Sequence, residues 1–238
     1  DCLAIGGNHF IHILRRNVDV NILLLNNKIY GLTKGQYSPT SDRGAVTKSS
    51  PYGTVEDPFI PAELTFGARG HFFARAIDVD LEVSKECMIA AGRHKGAAEI
   101  LQNCVIFNDK IHSYVADREF RADRTIHLRQ GEKMLFGKNM DKGLILDGYK
   151  LKAVTVGENG ITLDDILTHD ATTANDIMHQ MLAMMDGHEL PLAVGVIRDV
   201  EAPTYDKEVE AQVNAVRSKK PNKTLRDLLL EGETWEVK

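Results

Sequence analysis

The stretch "VDVNILLLNNKIYGLTKGQYSPTS", residues 18–41, constrains the fold of this chain more than any other. Residues 18–25 form a β-branched and leucine-rich run too short for a helix, which reads as a buried parallel strand. The run stops at two asparagines. Residues 26–57 are then rich in Ser, Thr, Gly and Pro and show no helical or strand period. Most connections in compact domains are only a few residues long, so a loop of this length points to function or to disorder. In a parallel sheet, ligands sit beyond the carboxyl ends of the strands, which is where this loop begins.

The rest of the chain supplies what such a strand needs. Residues 3–16 carry Ile5, Phe10, Ile11, Ile13 and Leu14 at roughly helical spacing. Pro61 marks a helix start leading into residues 62–69. Residues 72–77 read as a strand. Residues 80–91 read as a helix with Leu81, Val83, Cys87, Met88 and Ala91 on its inner side. Residues 99–101, extended through Val105 and Ile106, read as another strand. This alternation predicts an α/β fold with a mostly parallel sheet flanked by helices. From about residue 109 the character becomes more irregular, and the stretch to Lys142 is charged. Residues 143–157 read as a strand pair, Thr162 with Asp165 as a capping-box helix start, residues 173–185 as a Met-rich helix and residues 190–197 as a last strand. The expected organisation is one domain over residues 1–199 and a helical tail over 200–238.

Composition narrows the class. Hydrophobic residues make up 43% and charged residues 26%, ordinary for a globular protein. A net charge of −5 argues against nucleic acid as a partner, since such proteins usually carry a basic face. No apolar run approaches the ~20 residues that cross a bilayer, so no membrane span is expected. The three cysteines, Cys2, Cys87 and Cys104, suit a reducing cytoplasm better than a disulfide framework. The chain starts at Asp1 without an initiator Met, and we read it as a fragment of a longer protein.

An asparagine at a strand's carboxyl edge offers a neutral carbonyl oxygen, and a backbone carbonyl two residues on can point the same way. Such oxygens suit Mg²⁺. They equally suit an Asx turn, which asparagine makes readily. The nine histidines show no metal-ligand spacing: His9 and His12 share a predicted helix without an intervening acid, and we assign them to packing or surface. Cys2 and Cys87 fall inside predicted helices as packing residues, and a lone Cys104 after a strand is by itself a small core residue.

An acidic residue before a helix, then a strand ending in Asn-Asn, is similar to the thiamine diphosphate motif, which opens with Gly-Asp-Gly. The wider string "DCLAIGGNHFIHILRRNVDVNILLLNNKIYGLTKGQYSPTS" resembles the β subunit of 2-oxoacid:ferredoxin oxidoreductases of the 2-oxoglutarate type. The resemblance continues through "HKGAAEILQNCVIFND", "RADRTIHL", "GEKMLFGKN", "KGLILDGYKLKAVTVGENG" and "GVIRDVEAPTYD". It implies a thiamine-diphosphate-binding fold. It also implies an enzyme that oxidatively decarboxylates a 2-oxoacid, 2-oxoglutarate by preference, to its acyl-CoA, with electrons passed through a [4Fe–4S] cluster to ferredoxin. Asn27 would bind Mg²⁺ through its side chain and Ile29 through its carbonyl. Gly31 and Leu32 would hold the diphosphate with Thr33 beside it, and Asp1 would touch the cofactor. Lys34 would face the distal carboxylate of the substrate, and Cys104 would be the fourth cluster ligand. The partners implied are the α subunit of the same enzyme, ferredoxin and coenzyme A. The acidic metal ligand and three cluster cysteines of the family precede Asp1. The chain also reads two residues short after Ala98, which would shorten a central strand, and lacks a Gly after Asp109. These departures keep two rivals in view: a non-catalytic subunit that retains the fold, and a thiamine-diphosphate decarboxylase without ferredoxin.

Overall fold

The computed structural model describes residues 2–219 and 224–230. They fall in two compact units, Asp1–Ala202 and Pro203–Lys238. The first unit is built on a five-stranded sheet of β1 (Asn21–Asn26), β2 (Phe72–Ile77), β3 (Gly96–Leu101), β4 (Thr125–Leu128) and β8 (Leu192–Asp199), in the order β1-β3-β2-β8-β4. β1, β3 and β2 run parallel, β8 runs antiparallel to β2, and β4 is parallel to β8. A three-stranded antiparallel sheet of β5 (Leu135–Phe136), β6 (Lys142–Asp147) and β7 (Lys150–Thr155) lies in the same unit. The second unit contains α7 (Tyr205–Lys219) and α8 (Leu225–Leu230).

Helices cover both faces of the main sheet. On one face Phe10 and Leu14 of α1 (Gly7–Arg15) pack with Phe73, Ile126, Ile197 and Leu182, the last from α6 (Asp176–Ala183). On the other, Val83, Cys87 and Ala91 of α3 (Leu81–His94) pack with Phe72, Ala74 and Ala98. Burial at that face pushes the Cys87 thiol up to about 12. Asp80 caps α3 by accepting from the Val83 N–H. A single residue, Lys95, links α3 to β3. There Gly96 is required, because a Cβ at its φ of +153° would come within 2.8 Å of the Phe72 Cβ.

Several expectations are corrected. The first strand was expected to be buried; β1 is an edge strand whose Leu23 and Leu25 are 50% and 58% exposed. α1 starts at Gly7 rather than at residue 3. Residues 2–5 instead form a turn that closes on Gly6, where a Cβ would meet the Cys2 carbonyl at 2.5 Å. The buried stripe of α3 steps by four residues along Val83, Cys87 and Ala91, which leaves Leu81 and Met88 exposed. Val105 and Ile106 do not extend β3, because the chain leaves the sheet after Leu101 and both side chains are exposed. β3 has six residues and pairs with β1 without a break. The stretch expected to be irregular holds α4 (Ser113–Ala116), α5 (Arg118–Arg124) and β4. α5 buries no side chain and so shows no apolar stripe to read.

Three histidines are sealed into the first unit. The Nε2 atoms of His112, His169 and His179 lie 3.0, 2.8 and 2.8 Å from the carbonyls of Asn26, Val196 and Asp170. Burial holds all three below the ordinary imidazole value of 6.5. The native state therefore keeps them neutral, while the unfolded chain takes up protons below about 6.5. Stability is full above that pH and falls as the pH drops through it. The melting temperature followed by circular dichroism should be lower at about pH 5.5 than at about pH 7.5. A flat profile across that interval would contradict neutral burial.

Candidate functional site

β1 delivers two asparagines to the carboxyl edge of the sheet, and the structure treats them differently. Asn26 is buried. Its Nδ2 donates to Glu99 Oε1 (2.8 Å), and its Oδ1 accepts from Thr40 Oγ1 (2.9 Å) and from the Lys28 N–H (3.3 Å). Its carbonyl accepts from His112 Nε2 (3.0 Å) and the Gln102 N–H (3.1 Å). Asn27 is half-buried. Its Oδ1 accepts from the Ile29 N–H (3.2 Å), an Asx turn, and its carbonyl accepts from Asn108 Nδ2 (2.9 Å).

The chain then makes a closed loop. Tyr30 and Gln36 bridge each other, with the Tyr30 N–H donating to Gln36 (2.9 Å) and the Gly35 N–H to Tyr30 (2.9 Å). Lys34 and Gly35 take positive φ, +74° and +96°, which turns the tip. Among the described residues, the N–H groups of Gly31, Leu32 and Thr33 donate no hydrogen bond, and the Ile29 carbonyl accepts none. Three successive backbone amides and a neighbouring carbonyl are thus left without protein partners among the described residues.

Cys104 meets this loop from the far end of β3. A Cβ on Gly31 would lie 3.3 Å from Cys104 Sγ and 4.0 Å from Asn27 Nδ2. Asn27, Gly31 and Cys104 are thereby brought together. The turn after Cys104 locks the arrangement: the Asn108 N–H donates to the Cys104 carbonyl (2.8 Å), and Phe107 packs under Gly35 with Lys48 over its ring. Thr33 bonds Gln36 through its hydroxyl and lies at the exposed tip, as does Leu32, which is 92% exposed. Lys34 is exposed and has no ion-pair partner among the described residues. Asp1 lies outside the described residues. Cys2 is not in a helix as expected. It sits exposed in the turn before α1 and lines a cleft of about 280 Å³ with Asn27, Ile29 and Tyr30.

Sequence reasoning missed Glu99, Arg75, Thr40 and Asn108. One signal was available: "FFARAI" and "AAEIL" each place a charge inside an apolar strand, and a buried charge needs a partner.

The donor set fits Mg²⁺ bound to a diphosphate. Asn27 Oδ1 and the Ile29 carbonyl are hard oxygens, and phosphate oxygens complete such sites. It does not by itself fit a [4Fe–4S] centre, which takes four thiolates. Cys104 is a single thiol beside Gly31, and no group of three or more His, Cys, Asp or Glu side chains placed to hold a metal exists among the described residues.

Residues 1–100 match the family of thiamine pyrophosphate enzymes, C-terminal TPP binding domain. The chain is 43% identical over its full length to the 2-oxoglutarate oxidoreductase subunit KorB of Mycobacterium tuberculosis, of which it covers 64%. It is 43% identical over 130 residues to the 2-oxoacid:ferredoxin oxidoreductase 1, subunit beta, of Aeropyrum pernix, a match covering 54% of this chain and 39% of that one. Its fold matches a solved structure of 2-oxoglutarate:ferredoxin oxidoreductase from Magnetococcus marinus with 2-oxoglutarate, coenzyme A and succinyl-CoA bound. That match has a TM-score of 0.62 and 23% identity, covering 97% of this chain and 64% of that one. The chain is thus similar to subunits of 2-oxoglutarate and 2-oxoacid oxidoreductases. It spans slightly less than two thirds of the mycobacterial relative's length.

The contact between Gly31 and Cys104 can be tested directly. Gly31→Ala should cost about 1–3 kcal/mol by overpacking, and adding Cys104→Ala should relieve it. Urea unfolding of the four proteins should give a coupling energy on the order of 1 kcal/mol; additive effects would show that the two do not touch.

Proposed function

We propose that this chain forms the metal–diphosphate half of the cofactor site in a thiamine-diphosphate-dependent 2-oxoacid:ferredoxin oxidoreductase. The enzyme oxidatively decarboxylates a 2-oxoacid, 2-oxoglutarate by preference, to its acyl-CoA, with electrons going to ferredoxin, or runs the reverse. The observation that carries this reading is the row of open amides at Gly31, Leu32 and Thr33 beside the open Ile29 carbonyl and the Asn27 amide. The 43% identity to a 2-oxoglutarate oxidoreductase subunit across the whole chain supports it.

Each residue then has a task. Asn27 Oδ1 and the Ile29 carbonyl would hold Mg²⁺, and Asp1 would touch the cofactor. The amides of Gly31, Leu32 and Thr33 would bind the diphosphate without needing a cationic side chain. Thiamine diphosphate, when bound, supplies the electron sink for decarboxylation. Lys34 has a free ammonium at the loop tip, suited to the distal carboxylate of a dicarboxylic oxoacid through a charge-assisted hydrogen bond. Cys104 is one thiolate for a [4Fe–4S] cluster whose other ligands come from outside the described residues. Val46, Tyr52 and Val55 stand exposed on the same long loop as Leu32, an apolar surface suited to an α subunit that closes the site.

The assembled enzyme tests the reading. Asn27→Ala should abolish 2-oxoacid- and CoA-dependent reduction of ferredoxin and weaken Mg²⁺-dependent cofactor binding by at least the about 10–100-fold seen for outer-shell partners. Lys34→Ala should raise the KM for 2-oxoglutarate about ten- to a hundredfold, the worth of a hydrogen bond to a charged group, and leave that for pyruvate nearly unchanged. Equal effects on the two substrates would remove Lys34 from the substrate site.

A further inference from the structure

The asparagine that cannot touch the metal is the best anchored residue of the site. Asn26 takes part in five hydrogen bonds beyond its strand pairing: to Glu99, Thr40, the Lys28 N–H, His112 and the Gln102 N–H. Its partners are themselves fixed. Glu99 Oε2 accepts from Arg75 Nε at 2.9 Å, the two residues are register partners on adjacent parallel strands, and both side chains are at most 5% exposed. Thr40 is buried, and its hydroxyl lies 3.1 Å from Ser38 Oγ. Ser41 Oγ donates to the Lys28 carbonyl at 2.6 Å. These bonds reach the loop from two directions: from the sheet through Glu99, and from the loop's own return through Thr40 and Ser41.

We infer that Glu99 and Thr40 are positioning residues for the metal–diphosphate loop, acting through Asn26. The Asn26 side chain is held on one side of the strand by a carboxylate and a hydroxyl. The next residue, Asn27, must then face the other way, and its carbonyl is pinned there by Asn108. Rotation of the Asn26–Asn27 peptide would break the bonds to His112 and Gln102 together. The loop is therefore pre-set before any ligand arrives, and binding does not have to supply the ordering. Ligands outside the first coordination sphere typically change metal affinity by about 10–100-fold. The inference rests on the cofactor reading above.

The test uses the assembled enzyme and Mg²⁺ with thiamine diphosphate as the probe, with binding followed by calorimetry and folding by thermal melting. Thr40→Val removes the hydroxyl donor at constant volume and leaves the Arg75–Glu99 pair intact. It should weaken cofactor binding about tenfold or more with the melting temperature nearly unchanged, and Thr40→Ser should restore the affinity. Glu99→Gln keeps an acceptor for Asn26 while removing the charge opposite Arg75. It should lose thermal stability but retain tighter cofactor binding than Thr40→Val. Unchanged affinity in Thr40→Val would overturn the inference. So would an affinity lost only in step with the melting temperature, or one that serine fails to restore. An unsubstituted enzyme that binds no cofactor would overturn the proposed function itself, a result distinct from any of these.

Discussion

A buried ion pair at the centre of the sheet governs how the rest of this structure can be arranged. Arg75 and Glu99 sit opposite each other on β2 and β3, sealed from water. Removing two charges from water costs several kcal/mol per ion, and their attraction recovers this only when the remaining hydrogen-bonding capacity is met. Arg75 meets it toward the Met185 carbonyl and Glu99 toward Asn26. The pair thus ties the interior of the sheet to its carboxyl edge. Replacement by apolar residues could serve stability as well; it could not orient the end of β1.

From that edge the loop acquires its chemistry by backbone geometry more than by side chains. The open donors are main-chain amides, one of the metal-type oxygens is a main-chain carbonyl, and a glycine makes room for a sulfur. The turn at Lys34 and Gly35 and the anchors under it shape the loop. No helix among the described residues is long and apolar enough to cross a membrane.

Local signals made much of this fold legible. β2 coincides with its apolar run, α2 (Pro61–Gly67) with its leading proline, the β6–β7 hairpin with its strand pair, and the turn at residues 162–165 with its capping box. What escaped depends on residues far apart in sequence. β4 is four residues long behind a helix that buries no side chain, and it is a strand because β8 lies beside it. The exposure of Leu23 follows from the position of β1 at the edge, which no window of sequence encodes. At the site, Asn27 could be picked out by its place after a strand, and Gly31 by the family resemblance. The grip of Glu99 and Thr40 on Asn26 could not, because it spans 73 and 14 positions. The charges inside "FFARAI" and "AAEIL" were visible, but their pairing required the register.

The glycine opposite Cys104 has a chemical consequence. Gly31 leaves empty the volume of one methyl group, and the Cys104 sulfur borders that space. A group placed on that sulfur toward the glycine would enter the space that a side chain at position 31 would otherwise fill.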